Sequence, residues 1–145
     1  MSDMRAIADR VEIEALRGEF SDAVMMRDYE RLAGLFTPDG ALRMPNIPVE
    51  LVGRGQIAEW GVKAAGIVEF LIQTTTPGVI RLAGDEASGR AYMQELARLR
   101  DGHSEMNVAI YHDRYRRTAD GWRFVERVYD VRYRDDTPLP GESAA

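Results

Sequence analysis

The last third of the chain, Asn107 to Tyr133, is two runs of alternating residues flanking Thr118-Ala-Asp-Gly-Trp122. Asp120-Gly121 between such runs is a strong hairpin signal, because glycine accepts the positive φ that tight β-turns demand. With Gly121 at the bulge position of a three-residue loop, Thr118 faces Trp122 and pairing extends outward from there. Successive side chains of a strand point to opposite faces. Tyr111, Asp113 and Tyr115 therefore share one face with Tyr129, Arg127 and Val125. The other face carries Ile110, His112, Arg114 and Arg116 opposite Asp130, Val128, Glu126 and Phe124. An aromatic face with one embedded Asp–Arg pair has the character of a sheet that lines a pocket.

Upstream, apolar residues recur at Ile7, Val11, Leu16, Phe20, Ala23 and Val24, close to helical spacing. Arg10, Glu12, Glu14, Arg17 and Glu19 fill the opposite face, so the spacing predicts an amphipathic helix to about Arg27. Asp28 is an N-cap for a short second helix, Tyr29 to Phe36. Thr37-Pro-Asp-Gly40 is a turn, Ala41 to Met44 a short strand stopped by Pro45, and Leu51-Val52 a strand fragment. Gly53-Arg-Gly-Gln opens a third helix through about Ile67. Phe70 to Thr76, Val79 to Leu82 and Arg90 to Arg100 are rich in β-forming residues. Helices first and strands afterwards imply an α+β domain. The expected shape is a cone-shaped barrel, a curved antiparallel sheet covered by three N-terminal helices. Residues 1–145 form one domain, with an ordered core over about 7–134 and a tail over 135–145.

The net charge of -5 argues against a nucleic-acid partner, which needs a clustered basic surface. Without cysteine there is no disulfide, thiolate nucleophile or thiolate metal site. Two separated histidines, His103 and His112, offer no metal cluster and are expected at the surface. No signal-peptide core or stretch of transmembrane length is evident, so a cytoplasmic protein with no membrane partner is the expectation.

Several motifs resemble the SnoaL-like branch of the nuclear transport factor 2-like superfamily. They are Arg27-Asp-Tyr-Glu-Arg-Leu-Ala-Gly-Leu-Phe36 with Pro38-Asp-Gly40, Gly53-Arg-Gly-Gln-Ile57, Thr74-Thr-Thr-Pro-Gly-Val79, Tyr111-His-Asp-Arg-Tyr115 and Asp120-Gly-Trp-Arg-Phe124. The resemblance runs from about Ile13 to Tyr133. It implies the cone fold and, among its enzymes, cofactor-independent proton chemistry. The scytalone dehydratase and dehydrochlorinase members that the chain resembles most use a His–Asp dyad. The matching positions here are Met25 and Gln73, neither of which takes up a proton at neutral pH. The tyrosine and aspartate of ketosteroid isomerases correspond to Phe20 and Met44, and no Asp–Arg–Asp triad of epoxide hydrolases is recognisable. Arg127 matches the pocket arginine of the dehydrochlorinase pattern, and Tyr111 an aromatic pocket wall.

With the dyad absent, polar chemistry falls to the hairpin. Tyr111 is either a phenol acid or base, its pKa lowered by the nearby guanidinium, or a wall aromatic; the same alternatives hold for Tyr129. Arg127 binds a carboxylate or oxyanion, or is satisfied by Asp113 facing it. Gln73 lies in an apolar run, where a buried amide orients a ligand or pairs with a neighbour such as Asn107. Tyr111, Arg127, Gln73 and Asp113 are thus the catalytic candidates. Phe20, Met25, Met44, Trp60, Asn107 and Tyr129 are the candidate substrate lining, with core packing the alternative for Met25, Met44 and Trp60. The expected function is a cofactor-independent lyase or isomerase acting on an apolar, oxygenated small molecule. A non-catalytic ligand-binding or regulatory module of the same fold is the alternative. The hairpin's other face, with Val108, Ile110, Phe124 and Val128, is apolar enough to predict a homodimer through the sheet.

Overall fold

The computed structural model describes residues 3–144. Among these residues the chain runs α1 (Met4–Met25), α2 (Tyr29–Gly34), β1 (Phe36–Met44), β2 (Val49–Val52), α3 (Arg54–Ile67), β3 (Val68–Ala83), β4 (Glu86–Leu99), β5 (Ser104–Thr118) and β6 (Gly121–Asp135). This is the α+β fold read from the sequence, with Asp28 capping α2 through Arg31 N at 3.2 Å. Strand order is β2-β1-β6-β5-β4-β3, and β3 to β6 form the expected antiparallel meander. Several details differ from expectation: Thr37-Pro-Asp-Gly40, read as a turn, lies within β1, and the strands read over Phe70 to Thr76 and Val79 to Leu82 are one continuous β3. β1 lies parallel to β6, with Leu42 beside Arg127. β2 and β3 remain as edges, so the curved sheet makes an open cone and no closed barrel.

β3 follows the curvature by a shift in its pairing with β4 between Thr76 and Val79. A Cβ on Gly78 would lie 2.1 Å from the Arg90 backbone oxygen, so the chain passes this bend only with glycine. No helix among the described residues is long and apolar enough to cross a membrane. After β6 the chain returns to the β4–β5 end, where Arg98 Nη2 donates to the Leu139 and Gly141 carbonyls.

The hairpin register agrees with expectation at Tyr111–Tyr129 and Asp113–Arg127 and departs from it nearer the turn. Thr118 faces Gly121, which has φ 108°, so the loop holds two residues, Ala119 and Asp120. Tyr115 pairs with Phe124 and Arg114 with Glu126, which leaves Val125 as an extra residue on β6. This bulge flips the alternation, so Trp122 and Phe124 both point into the core along with Arg127 and Tyr129. Phe124 is therefore fully buried rather than on the outer face.

The face that α1 turns to the sheet also differs from the amphipathic reading. Ile13, Leu16, Phe20 and Ala23 are buried as expected, but Ile7 and Val11 are exposed. Their place is taken by Asp9, Arg17 and Ser21. Each of these polar side chains is matched to the sheet. Arg117 grips Asp9 with two hydrogen bonds of 2.7 and 2.8 Å, and the buried Trp122 indole N–H donates to Asp9 at 3.1 Å. These contacts pin the start of α1 to the hairpin.

Asp9→Ala leaves the Trp122 N–H without an acceptor in the core, a loss of about 1–3 kcal/mol. The expected drop in thermal midpoint is about 3–10 °C at neutral pH. The Arg117 hydrogen bonds hold the Asp9 carboxyl down from 3.8 to about 2. Its contribution is thus present above 3.8 and is lost as the pH falls toward 2. Thermal melts across that range should show wild type losing an increment that Asp9→Ala never had; identical curves would contradict the clamp.

Candidate active site

Two polar clusters face α1 from the sheet, and they differ in how their charge is handled. The deeper one is centred on Asp113. Arg127 Nε and Nη2 donate to Asp113 Oδ1 and Oδ2 at 2.8 and 3.0 Å, a bidentate pair. Tyr115 OH donates to Asp113 Oδ2 at 2.6 Å and accepts from Arg17 Nε at 2.8 Å. Arg17 also donates to Glu14 at 2.8 Å and to the Val79 carbonyl at 3.0 Å. The Arg127 guanidinium lies 3.7 Å from the Tyr111 ring centroid and 4.5 Å from those of Phe20 and Phe124. At this depth the cone is filled by its own side chains, with Arg127 fully buried.

Tyr111 is buried as well, and burial pushes its phenol well above the ordinary tyrosine range. The Arg127 charge pulls the other way and does not compensate, which corrects the expectation of a lowered tyrosine pKa. Phe20 packs edge-on against Tyr111, Phe36 and Phe124, so it is part of this aromatic core.

The second cluster sits further back along β5 and meets the first at Tyr111 and Tyr129, whose ring centroids are 5.7 Å apart. Its centre is Glu95, which the sequence reading passed over. Ala91, Met93 and Ala97 on β4 are buried by strict alternation, and Glu95 falls in the same inward phase. A carboxylate within a period-two run of small and apolar residues was the available signal. Register places Gln73 of β3 and Asn107 of β5 directly beside it. Gln73 Nε2 donates to Glu95 Oε1 at 3.3 Å, while Asn107 Nδ2 and Tyr129 OH donate to Oε2 at 3.4 and 3.0 Å. Ser21 Oγ donates to Gln73 Oε1 at 2.8 Å and also contacts Thr75, which fixes the direction of the Gln73 amide. Gln73 and Asn107 are buried, whereas Glu95 keeps partial exposure.

All three donors to Glu95 are neutral. Burial raises its carboxyl above the ordinary glutamate range, against the pull of Asn107, Tyr129 and Gln73. The Tyr129 phenol is raised too, by burial and then by Glu95 itself. A carboxylate has about four lone-pair sites. Two donors use those of Oε2 and one uses Oε1, so a lone pair of Oε1 stays available for a proton.

The remaining candidates flank this cluster or support it. Met25 Sδ accepts from the Gln73 backbone N at 3.4 Å. Met44 is buried in the core, and Trp60 on α3 packs against it partly exposed. His103 and His112 are exposed, as expected. Two surface clefts lie elsewhere. One of about 210 Å³ borders Arg81, Arg90 and His112, and one of about 340 Å³ borders Arg10, Val11 and Ile80.

An open cone of curved sheet, closed on its concave face by a long helix, is the fold of the nuclear transport factor 2-like superfamily. The SnoaL-like domain model matches residues 5–128, and the chain belongs to that family. An uncharacterised protein of Mycobacterium tuberculosis is 28% identical over 131 residues, covering 88% of each chain. The crystal structure of LinA, a hexachlorocyclohexane dehydrochlorinase, is 25% identical with a TM-score of 0.87, over 100% of this chain and 99% of that one. A scytalone dehydratase-like protein from Novosphingobium aromaticivorans is 18% identical with a TM-score of 0.83, over 92% and 91% of the two chains.

The deep cluster should behave as a structural unit. Arg127→Met strands the Asp113 carboxylate in the core and should cost about 3–5 kcal/mol. Replacing both partners, Asp113→Leu with Arg127→Met, removes the stranded charge while Arg17 still bonds Tyr115, and should recover part of that loss. Urea denaturation of the three proteins reads this directly. A double variant no more stable than Arg127→Met would contradict the pairing.

Proposed function

We propose that this chain is a cytoplasmic, cofactor-independent lyase or isomerase in which Glu95 moves a proton on an apolar, oxygenated small molecule. The observation that carries the reading is a desolvated, partly exposed carboxylate with only neutral hydrogen-bond donors, beside the residue that stands at the dyad-histidine position, Gln73. Raised pKa brings a carboxylate closer to the strength that proton abstraction from carbon needs near neutral pH. Glu95 Oε1 takes the proton, and the C–H electron pair remains on the substrate. In an elimination that pair forms the C=C bond as a neighbouring group leaves with its bonding electrons. In an isomerisation the pair is held as an enolate, and the protonated Glu95 returns the proton at another carbon. Gln73, Asn107 and Tyr129 hold the carboxylate in place, and Met25 and Met44 supply apolar contact. Tyr111 serves as a wall, and the Asp113–Arg127 pair supports the site from behind. The activities named for LinA and for the scytalone dehydratase-like protein, loss of hydrogen chloride and of water, are both eliminations that fit this chemistry.

The test is turnover of a panel of aromatic, steroidal and polyketide alcohols and halides by wild type and Glu95→Gln. Loss of at least about 100-fold in kcat is expected for Glu95→Gln. Because the base must be ionised, the wild-type rate should climb with pH through a midpoint above 4.5. Glu95→Gln with full activity would remove Glu95 from the mechanism. Tight ligand binding by wild type with no turnover across the panel would favour the binding-module alternative.

We further propose a homodimer through the outer face of the sheet. Phe124 no longer contributes to that face, but Ile72, Tyr92, Leu96 and Tyr133 are exposed there beside the part-exposed Val108, Ile110 and Val128. Exposed apolar residues gathered on one face mark an interface. Sedimentation equilibrium at micromolar concentration should give a dimer that Leu96→Arg with Tyr133→Arg dissociates; a wild-type monomer would refute it.

A further inference from the structure

Asn107 holds an unused hydrogen-bond acceptor inside the candidate site. Its Nδ2 donates to Glu95 Oε2 at 3.4 Å, yet its Oδ1 is buried and has no partner among the described residues. The amide cannot be turned the other way, because Oδ1 would then face a carboxylate oxygen and lose the only bond it makes. A buried carbonyl left unpaired is costly, and folded proteins rarely keep one without a use.

The side chains that donate to Glu95 beside this acceptor carry no charge. No cation supports Glu95 through its hydrogen bonds, and Glu105 adds to the negative field. Of the arginines between α1 and the sheet, Arg17 and Arg127 are committed elsewhere, while Arg134, opposite Asn107 in the β5–β6 register, is exposed to solvent. Arg17 is held by Glu14, Tyr115 and the Val79 carbonyl. Arg127 has one unpartnered nitrogen, Nη1, but its guanidinium is sealed among the rings of Tyr111, Phe20 and Phe124 and paired with Asp113. An anionic ligand reaching Glu95 would meet a carboxylate whose hydrogen-bond partners are all neutral, with the exposed Arg134 the cation beside Asn107 in the register.

We propose that Asn107 Oδ1 selects the substrate by accepting a hydrogen bond from its hydroxyl group, and that the site takes neutral hydroxylated apolar molecules while rejecting carboxylates. The selection rests on the reading of Glu95 as the proton-transfer group, since the hydroxyl anchored at Asn107 places a neighbouring carbon against Glu95 Oε1. Asn107 thus both orients the base, through Nδ2, and orients the substrate, through Oδ1.

A matched set of probes tests this without requiring turnover: 2-naphthol, naphthalene and 2-naphthoate, titrated into the full chain and followed by tryptophan fluorescence and calorimetry. Wild type should prefer 2-naphthol to naphthalene by about tenfold, the worth of one net hydrogen bond near 1.4 kcal/mol, and should bind 2-naphthoate weakest. Asn107→Leu should abolish the preference for 2-naphthol over naphthalene while still binding naphthalene; Asn107→Ala serves if the leucine variant does not fold. In Glu95→Gln the preference for 2-naphthol should persist and the rejection of 2-naphthoate should relax. No binding of 2-naphthol, equal affinity for 2-naphthol and naphthalene, or a preference that survives in the Asn107 variant overturns the proposal. Those outcomes are separate from the fate of Glu95 as a catalyst, which the turnover of Glu95→Gln decides.

Discussion

The bidentate contact between Asp113 and Arg127 is the interaction on which the architecture turns. Two ions with almost no access to water are tolerable only when their geometry is good and their remaining lone pairs and protons are used. Asp113 meets that condition with three hydrogen bonds, two from Arg127 and one from Tyr115. Tyr115 in turn is held by Arg17, which ties α1 across the concave face of β5. The aromatic rings of Phe20, Phe124 and Tyr111 close around the guanidinium, so the apolar core and the ion pair depend on one another. Neither could be built without the Val125 bulge, which puts Phe124 and Arg127 on the same side of β6.

The same α1 face that covers this pair also reaches the Glu95 cluster through Ser21. The two carboxylates illustrate how environment divides similar groups into different roles. Asp113 receives two hydrogen bonds from the Arg127 guanidinium and one from Tyr115. Glu95 is given three neutral donors and is desolvated, so its charge is less well compensated and its proton affinity rises. A poorly compensated carboxylate costs stability and persists where some other demand retains it, which makes Glu95 a candidate functional residue. In the proposed function the hairpin's conspicuous polar pair, Asp113 with Arg127, supports the site from behind. The hairpin's functional contribution to the proposed site is Tyr129 and Asn107, at the end away from the turn.

Much of the fold could be read directly. The Asp120-Gly121 turn, the Asp28 cap, the three helices and the meander all follow from local chemistry that tertiary packing had no reason to override. The pairing of Asp113 with Arg127 and of Tyr111 with Tyr129 followed from alternation alone. Where the reading failed, a single extra residue or a non-local partner was responsible. Val125 adds one residue to β6 and reverses the phase between it and the turn, which no local pattern announces. Arg17 and Asp9 look like solvent-facing residues of an amphipathic helix until Tyr115, Arg117 and Trp122 are brought to them across about a hundred residues of sequence. Glu95 was legible in principle, as a charge in the inward phase of Ala91, Met93 and Ala97. Sequence alone lets Gln73 and Asn107 pair with each other, and only the register puts a carboxylate between them in the sheet.

The account stands on the state of that carboxylate, and it can be measured without a substrate. Carbon-detected NMR of glutamate side chains, with the Glu95 signal assigned by its loss in Glu95→Gln, gives the titration of this one group. The account predicts a midpoint above the ordinary value of 4.5, moving lower when the protein is opened by denaturant. A midpoint at or below 4.5 in the folded protein would contradict it, because Glu95 would then be an ordinary solvated carboxylate with no special claim on a proton.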